Sequence, residues 1–90
     1  MNETEHLEET QVMDIAQSTH NIILYNDNKN SFGFVMNALE KICDHTPEQA
    51  EQCTMLVHFK GKFPVKQGSY EDLRAINFKL VNIGLKSKIE

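Results

Sequence analysis

Asn21-Ile22-Ile23-Leu24-Tyr25, halted by Asn26-Asp27-Asn28, is the stretch from which the fold can be read outward. Branched and aromatic side chains favour a strand, and short polar residues that bond back to their own backbone favour a turn. A first strand entering a loop is expected. Next, Asn30 or Ser31 can cap a helix whose apolar positions Phe32, Val35, Met36, Leu39, Ile42 and Cys43 recur at helical spacing. That helix is expected to end near Asp44-His45.

Thr46-Pro47-Glu48-Gln49 offers a cap, a proline at the first helical position and a glutamine able to close a capping box, so a second helix starts there. Its face collects Ala50, Cys53, Thr54, Val57 and His58, and Gly61 is the natural left-handed stop. Lys62 to Val65 alternates weakly around Pro64, which points to an edge strand or a strand end, and Gly68 turns the chain. Ser69 with Asp72 opens a third helix burying Leu73, Ile76, Leu80 and Ile83, with Gly84 as terminator. Leu85, Ser87 and Ile89 then alternate as a closing strand. The order β-α-α-β-α-β specifies an α+β two-layer sandwich, a small three-stranded antiparallel sheet with helices on one face.

Ninety residues support one domain with one core. Met1 to Thr19 is acidic, and its Leu7, Val12, Met13 and Ile15 are too sparse to bury a face. A flexible N-terminal arm over 1–19 and a core domain over 20–90 are expected. No Lys or Arg precedes Lys29, whereas basic residues predominate from Lys60 onward. Two cysteines without an apolar leader suggest a reduced, cytoplasmic protein, and no apolar run approaches the ~18 residues that a spanning helix needs.

Asn26-Asp27-Asn28 can aim several acceptors at one cationic guest. Together with Val57-His58-Phe59-Lys60-Gly61, this stretch resembles the ClpS family of proteolytic adaptors, whose signature is a strand ending in Tyr/Val-Asn-Asp-Asp and a later Val-His-x-x-Gly. The resemblance runs from about His20 to Glu90. It implies a binding module with no chemistry or cofactor of its own, which holds the free α-amino end of an N-degron polypeptide and delivers it to the N-terminal domain of a Clp-family AAA+ unfoldase. An α-ammonium has three donors and one charge, so it needs converging acceptors, while a large apolar first side chain needs a preformed cavity.

The resemblance assigns the amine to Asn26, Asp27, Asn28 and His58, and the hydrophobic pocket to Asn30, Phe32, Val35, Thr54, Val57 and Leu85. It further implies a monomer whose arm engages the unfoldase, with no nucleic acid and no membrane as partner. Four positions depart from the family's pattern. Asn28 stands where a second Asp is usual, Lys29 where an aromatic is common, and Phe32 and Thr54 where methionines are common.

Other constellations compete. Cys43, His45, Cys53 and His58 include zinc-ligating residue types, but their spacing fits no paired C-x-x-C pattern, and both cysteines fall on apolar helix faces. A Cys-His nucleophile would need a thiolate, and neither cysteine has a cationic neighbour or a helix N-terminus to make one. An RNA- or ribosome-associated α+β module is the runner-up. It would rest on the basic second half, opposed by the acidic arm and by few aromatics for stacking. No metal, no cofactor and no catalysis are expected.

Overall fold

The computed structural model describes residues 19–90, so the expected arm lies, apart from Thr19, outside the described residues. The elements are β1 (His20–Tyr25), α1 (Phe32–Ile42), α2 (Pro47–Lys60), β2 (Lys62–Gly68), α3 (Tyr70–Asn82) and β3 (Lys86–Ile89). β1 is the middle strand of a three-stranded antiparallel sheet ordered β2-β1-β3. Both the element order and the antiparallel sheet are those expected from the sequence.

Alternation along β1 decides how the two layers meet. Ile22 and Leu24 are 0% and 1% exposed and join Leu39, Leu73 and Leu80 in one core, whereas Ile23 and Tyr25, on the other face, remain half-buried. Each fully buried aliphatic contributes about 1.5–3 kcal/mol, so the central strand ties the sheet to the helices. No helix among the described residues is long and apolar enough to cross a membrane.

Each helix begins with a hydroxyl. Ser31 Oγ accepts from the backbone N–H of Phe34 at 3.1 Å, and Ser69 Oγ accepts from that of Asp72 at 3.1 Å. Thr46 Oγ1 accepts from Gln49 N at 3.1 Å while Gln49 Oε1 accepts from Thr46 N at 3.4 Å, the reciprocal box expected. A cap of this kind contributes about 1 kcal/mol. α2 stops at Gly61, whose φ of 89° is the left-handed value that glycine adopts without strain. The Gly61 carbonyl then accepts from Asn26 N at 2.9 Å, which pins the end of β1 to the end of α2.

Pro64 is tolerated because β2 is an edge strand and because the register slips beside it. Ile22 pairs with Lys66 and Ile23 with Pro64, so Val65 is the extra residue of a bulge. His45 Nε2 lies 2.6 Å from the carbonyl of Val65, the bulged residue. Two details differ from expectation. β2 continues to Gly68, and Ile83 is 41% exposed because α3 ends at Asn82; the turn at Gly84 sends Leu85 into the core instead.

Candidate functional site

Topology brings five chain ends together: the end of β1, the N-terminus of α1, the C-termini of α2 and α3, and the start of β3. Between them lies a cavity of about 460 Å³, within the range of small-molecule sites. Leu24, Val35, Thr54, Val57 and Leu85 supply its apolar wall. Asn26, Asp27, Asn28, Asn30, Phe32 and His58 are also in the lining, so all ten residues singled out from the sequence meet at one cavity. Leu24 and Tyr25 line it as well. The signal for Leu24 is the period-two pattern of β1, which turns it toward the helices.

The deep wall is well fixed. Thr54, Val57 and Leu85 are 4%, 4% and 3% exposed. Thr54 Oγ1 donates to the Ala50 carbonyl at 2.7 Å, which satisfies the hydroxyl inside α2 and leaves the methyl as its apolar contribution. Phe32, 44% exposed at the first position of α1, forms the rim.

Asp27 organises the loop. Its Oδ1 accepts from the backbone N–H groups of Lys29 at 2.8 Å and Asn30 at 2.9 Å, and its Oδ2 accepts from Asn30 Nδ2 at 3.0 Å. The hydrogen bonds from Asn30, backbone first and side chain next, hold the Asp27 carboxyl below its ordinary value; Lys29 N–H and the Lys86 charge add to this, against the opposing effect of burial. Asp27 is therefore ionised at neutral pH, a fixed negative charge at the cavity.

The other polar groups of the mouth are uncommitted. Among the described residues nothing hydrogen-bonds the side-chain amides of Asn26 and Asn28 or the imidazole of His58, and all three residues are exposed. His58 does not share the buried face of α2 as its spacing suggests; it sits in the last turn, held edge-on to the Phe59 ring at 5.6 Å between centroids. Carbonyls at the C-termini of α2 and α3 turn partial negative charge toward this end of the domain, which favours a cation.

Of the competing constellation, Cys43, His45 and Cys53 line one groove, whereas His58 lies apart in the last turn of α2. Cys43 caps the C-terminus of α1 and is 0% exposed, its thiol pushed up to about 11 by burial, and burial also raises the half-buried Cys53. Such thiols are poor nucleophiles. His45, 7% exposed, is bound to the β2 bulge rather than to His58 at the far end of α2. Among the described residues no group of three or more His, Cys, Asp or Glu is placed to hold a metal ion.

The family model described as ATP-dependent Clp protease adaptor protein ClpS matches residues 15–85. The chain belongs to the ClpS family. That family is one of adaptors of the Clp protease rather than of enzymes. An ATP-dependent Clp protease adapter protein ClpS from Sodalis glossinidius (strain morsitans) is 37% identical over 60 residues, covering 64% of this chain and 57% of that protein. The match thus spans a little over half the length of that curated relative. In fold, the chain is similar to ClpS2 of Agrobacterium tumefaciens, solved bound to L-phenylalaninamide, with a TM-score of 0.77 at 16% identity over 81% of this chain and 95% of that one.

Proposed function

We propose that this ClpS-family chain is an N-degron adaptor. It captures polypeptides by their free α-amino group and bulky hydrophobic first side chain, and delivers them to the N-terminal domain of a Clp-family AAA+ unfoldase. One observation carries the reading: an apolar wall opens onto a mouth where, among the described residues, the side chains of Asn26, Asn28 and His58 have no hydrogen-bond partner. The Asn26 amide oxygen and a lone-pair nitrogen of His58 accept two ammonium hydrogens, Asn28 offers a further acceptor, and ionised Asp27 supplies the charge. The Asn26 amide N–H groups remain for the ligand's first carbonyl. The related ClpS2 holds L-phenylalaninamide, which combines a free α-amine with an aromatic side chain.

Asn28 in place of an acid keeps an acceptor and gives up a charge-assisted bond, a difference of about 1 kcal/mol. That weakens the site without changing its mode. The test is a titration of short peptides that differ only at the first residue, each free or acetylated at its N-terminus. Free peptides beginning with Leu or Phe are expected to bind and those beginning with Ala or Lys to fail. Acetylation is expected to cost at least about 1.5 kcal/mol, since it removes a charge and two donors. Equal binding of acetylated and free peptides would overturn the assignment of the amine site.

A further inference from the structure

Four lysines surround the mouth of the cavity. Around the open end of the cavity stand Lys29 in the loop after β1, Lys60 at the end of α2, Lys62 at the start of β2 and Lys86 at the start of β3, all exposed. Among the described residues, Asp27 is the one acid lining that cavity. At the opposite end Asp44 after α1, Glu48 in the first turn of α2, and Glu71 and Asp72 in the first turn of α3 are joined by Lys41 in the last turn of α1 and by Lys66, whose Nζ donates to the Cys43 carbonyl at 3.0 Å; the Glu90 carboxylate reaches back to accept from the Tyr25 hydroxyl at 3.2 Å.

Register fixes two of the lysines. Tyr25, the last residue of β1, is paired with Lys62 on one side and Lys86 on the other. Lys62 Nζ lies 5.8 Å from the centroid of the Tyr25 ring, and Lys86 is close enough to help keep the Asp27 carboxyl ionised. Compensation of a helix C-terminus accounts for Lys60. It does not account for Lys29, Lys62 or Lys86, which belong to a loop and two strand starts. Among the described residues none of the four forms an ion pair with a carboxylate.

From this basic rim we infer that the chain selects polypeptides carrying acidic residues directly after the first. The inference rests on the adaptor reading above and names its substrate class more narrowly. With the first side chain in the cavity and the amine at Asn26 and His58, the second to fourth residues must cross the rim. An extended chain advances about 3.3 Å per residue, so those positions lie within about a Debye length of the mouth at physiological salt. The lysines stand on the loop, on α2 and on both outer strands, so an emerging chain meets one in each of these directions. The cation itself is served at shorter range by Asp27 and the end of α2. The two fields therefore act on different parts of one ligand.

Fluorescence anisotropy with peptides beginning Leu-Glu-Glu, Leu-Ala-Ala and Leu-Lys-Lys, each free or acetylated, tests this. Exposed pairs are individually weak, so two acids are expected to tighten binding about three- to tenfold over alanines, and two lysines to weaken it by a similar factor. Raising the salt is expected to collapse the spread. In a Lys29→Glu, Lys60→Glu double variant, in which two acids offset Lys62 and Lys86, the spread is expected to vanish; the wild-type series decides the question should that variant fold poorly. Equal affinity of the three free peptides would overturn rim selection and leave the capture of amino ends standing. Failure of every free peptide, or equal binding of acetylated ones, would overturn both.

Discussion

Asn30 donates its side-chain amide to the Gly84 carbonyl across 3.1 Å, joining two loops 54 residues apart in the chain. The same Nδ2 donates to Asp27 Oδ2 at 3.0 Å, so one amide braces the acid of the cavity mouth against the turn that leads into Leu85. Asn30→Ala removes both bonds and is expected to cost about 1–2 kcal/mol of stability in denaturant melts. Affinity for a Leu-initiated peptide is expected to fall several-fold with it, because the loop carrying Asn26 and Asn28 loses its brace. Asn30→Asp is expected to fare no better, since a carboxylate has no hydrogen to offer Gly84 and repels Asp27. Unchanged peptide affinity in both variants would mean that the brace does not set the mouth.

Acid should loosen the same loop. The Asp27 carboxyl sits below its ordinary value of 3.8 when folded. The unfolded chain therefore binds more protons in the acid range; the stabilisation is fully present above about pH 4–5 and is lost as pH falls through the folded value. The stability gap between wild type and Asp27→Asn is expected to be constant from neutral pH down to mildly acidic and to shrink below about pH 4. A gap that stays constant to pH 2 would show that the ionised form of Asp27 does not hold the loop.

His45 offers a separation of stability from binding. It is buried at the end of the domain away from the cavity, with Nε2 at 2.6 Å from the Val65 carbonyl in the β2 bulge. His45→Ala is expected to destabilise the domain by about 2–3 kcal/mol, combining a lost hydrogen bond with a small cavity. The folded fraction should bind peptide with unchanged affinity. A large loss of affinity in protein shown to be folded would mean that the two ends are coupled.

Local chemistry was legible and pairing was not. Ser31, Thr46 with Gln49, and Ser69 announce three helices because a cap acts within three residues of itself, and Gly61 and Gly84 mark the stops for the same reason. The Val65 bulge depends on which strand lies opposite, so neither it nor the burial of His45 can be read from neighbours in the chain. The exchange of Ile83 for Leu85 in the core has a similar cause: helical spacing counts on past Asn82, whereas the chain turns there. At the site, turn propensity marks Asn26-Asp27-Asn28, but periodicity alone makes Val35 and Val57 ordinary core. Only the resemblance to a family groups them with His58, and the tie from Asn30 to Gly84 has no signal in either.

On the adaptor reading proposed above, Thr54 bears on which first residues are accepted. Its hydroxyl is pinned to Ala50 at 2.7 Å and its side chain is 4% exposed on the cavity wall, where the ClpS pattern commonly has a methionine. A shorter side chain there leaves room beside the ligand's β-carbon. Phe32, on the rim, takes volume back at the other end of the cavity. Expected first-residue affinity therefore runs Leu and Phe well, Ile tolerated and Trp poorly, with differences of about 1–3 kcal/mol, the worth of a methylene-sized mismatch in an apolar pocket. Thr54→Met is expected to cut Ile binding more than Leu binding. Thr54→Val, which removes only the bond to Ala50, should leave the order intact and serves as the control for any change in fold. Equal losses for Ile and Leu in Thr54→Met would show that position 54 does not face the ligand's β-carbon, and the Ile tolerance of the wild type would then need another cause.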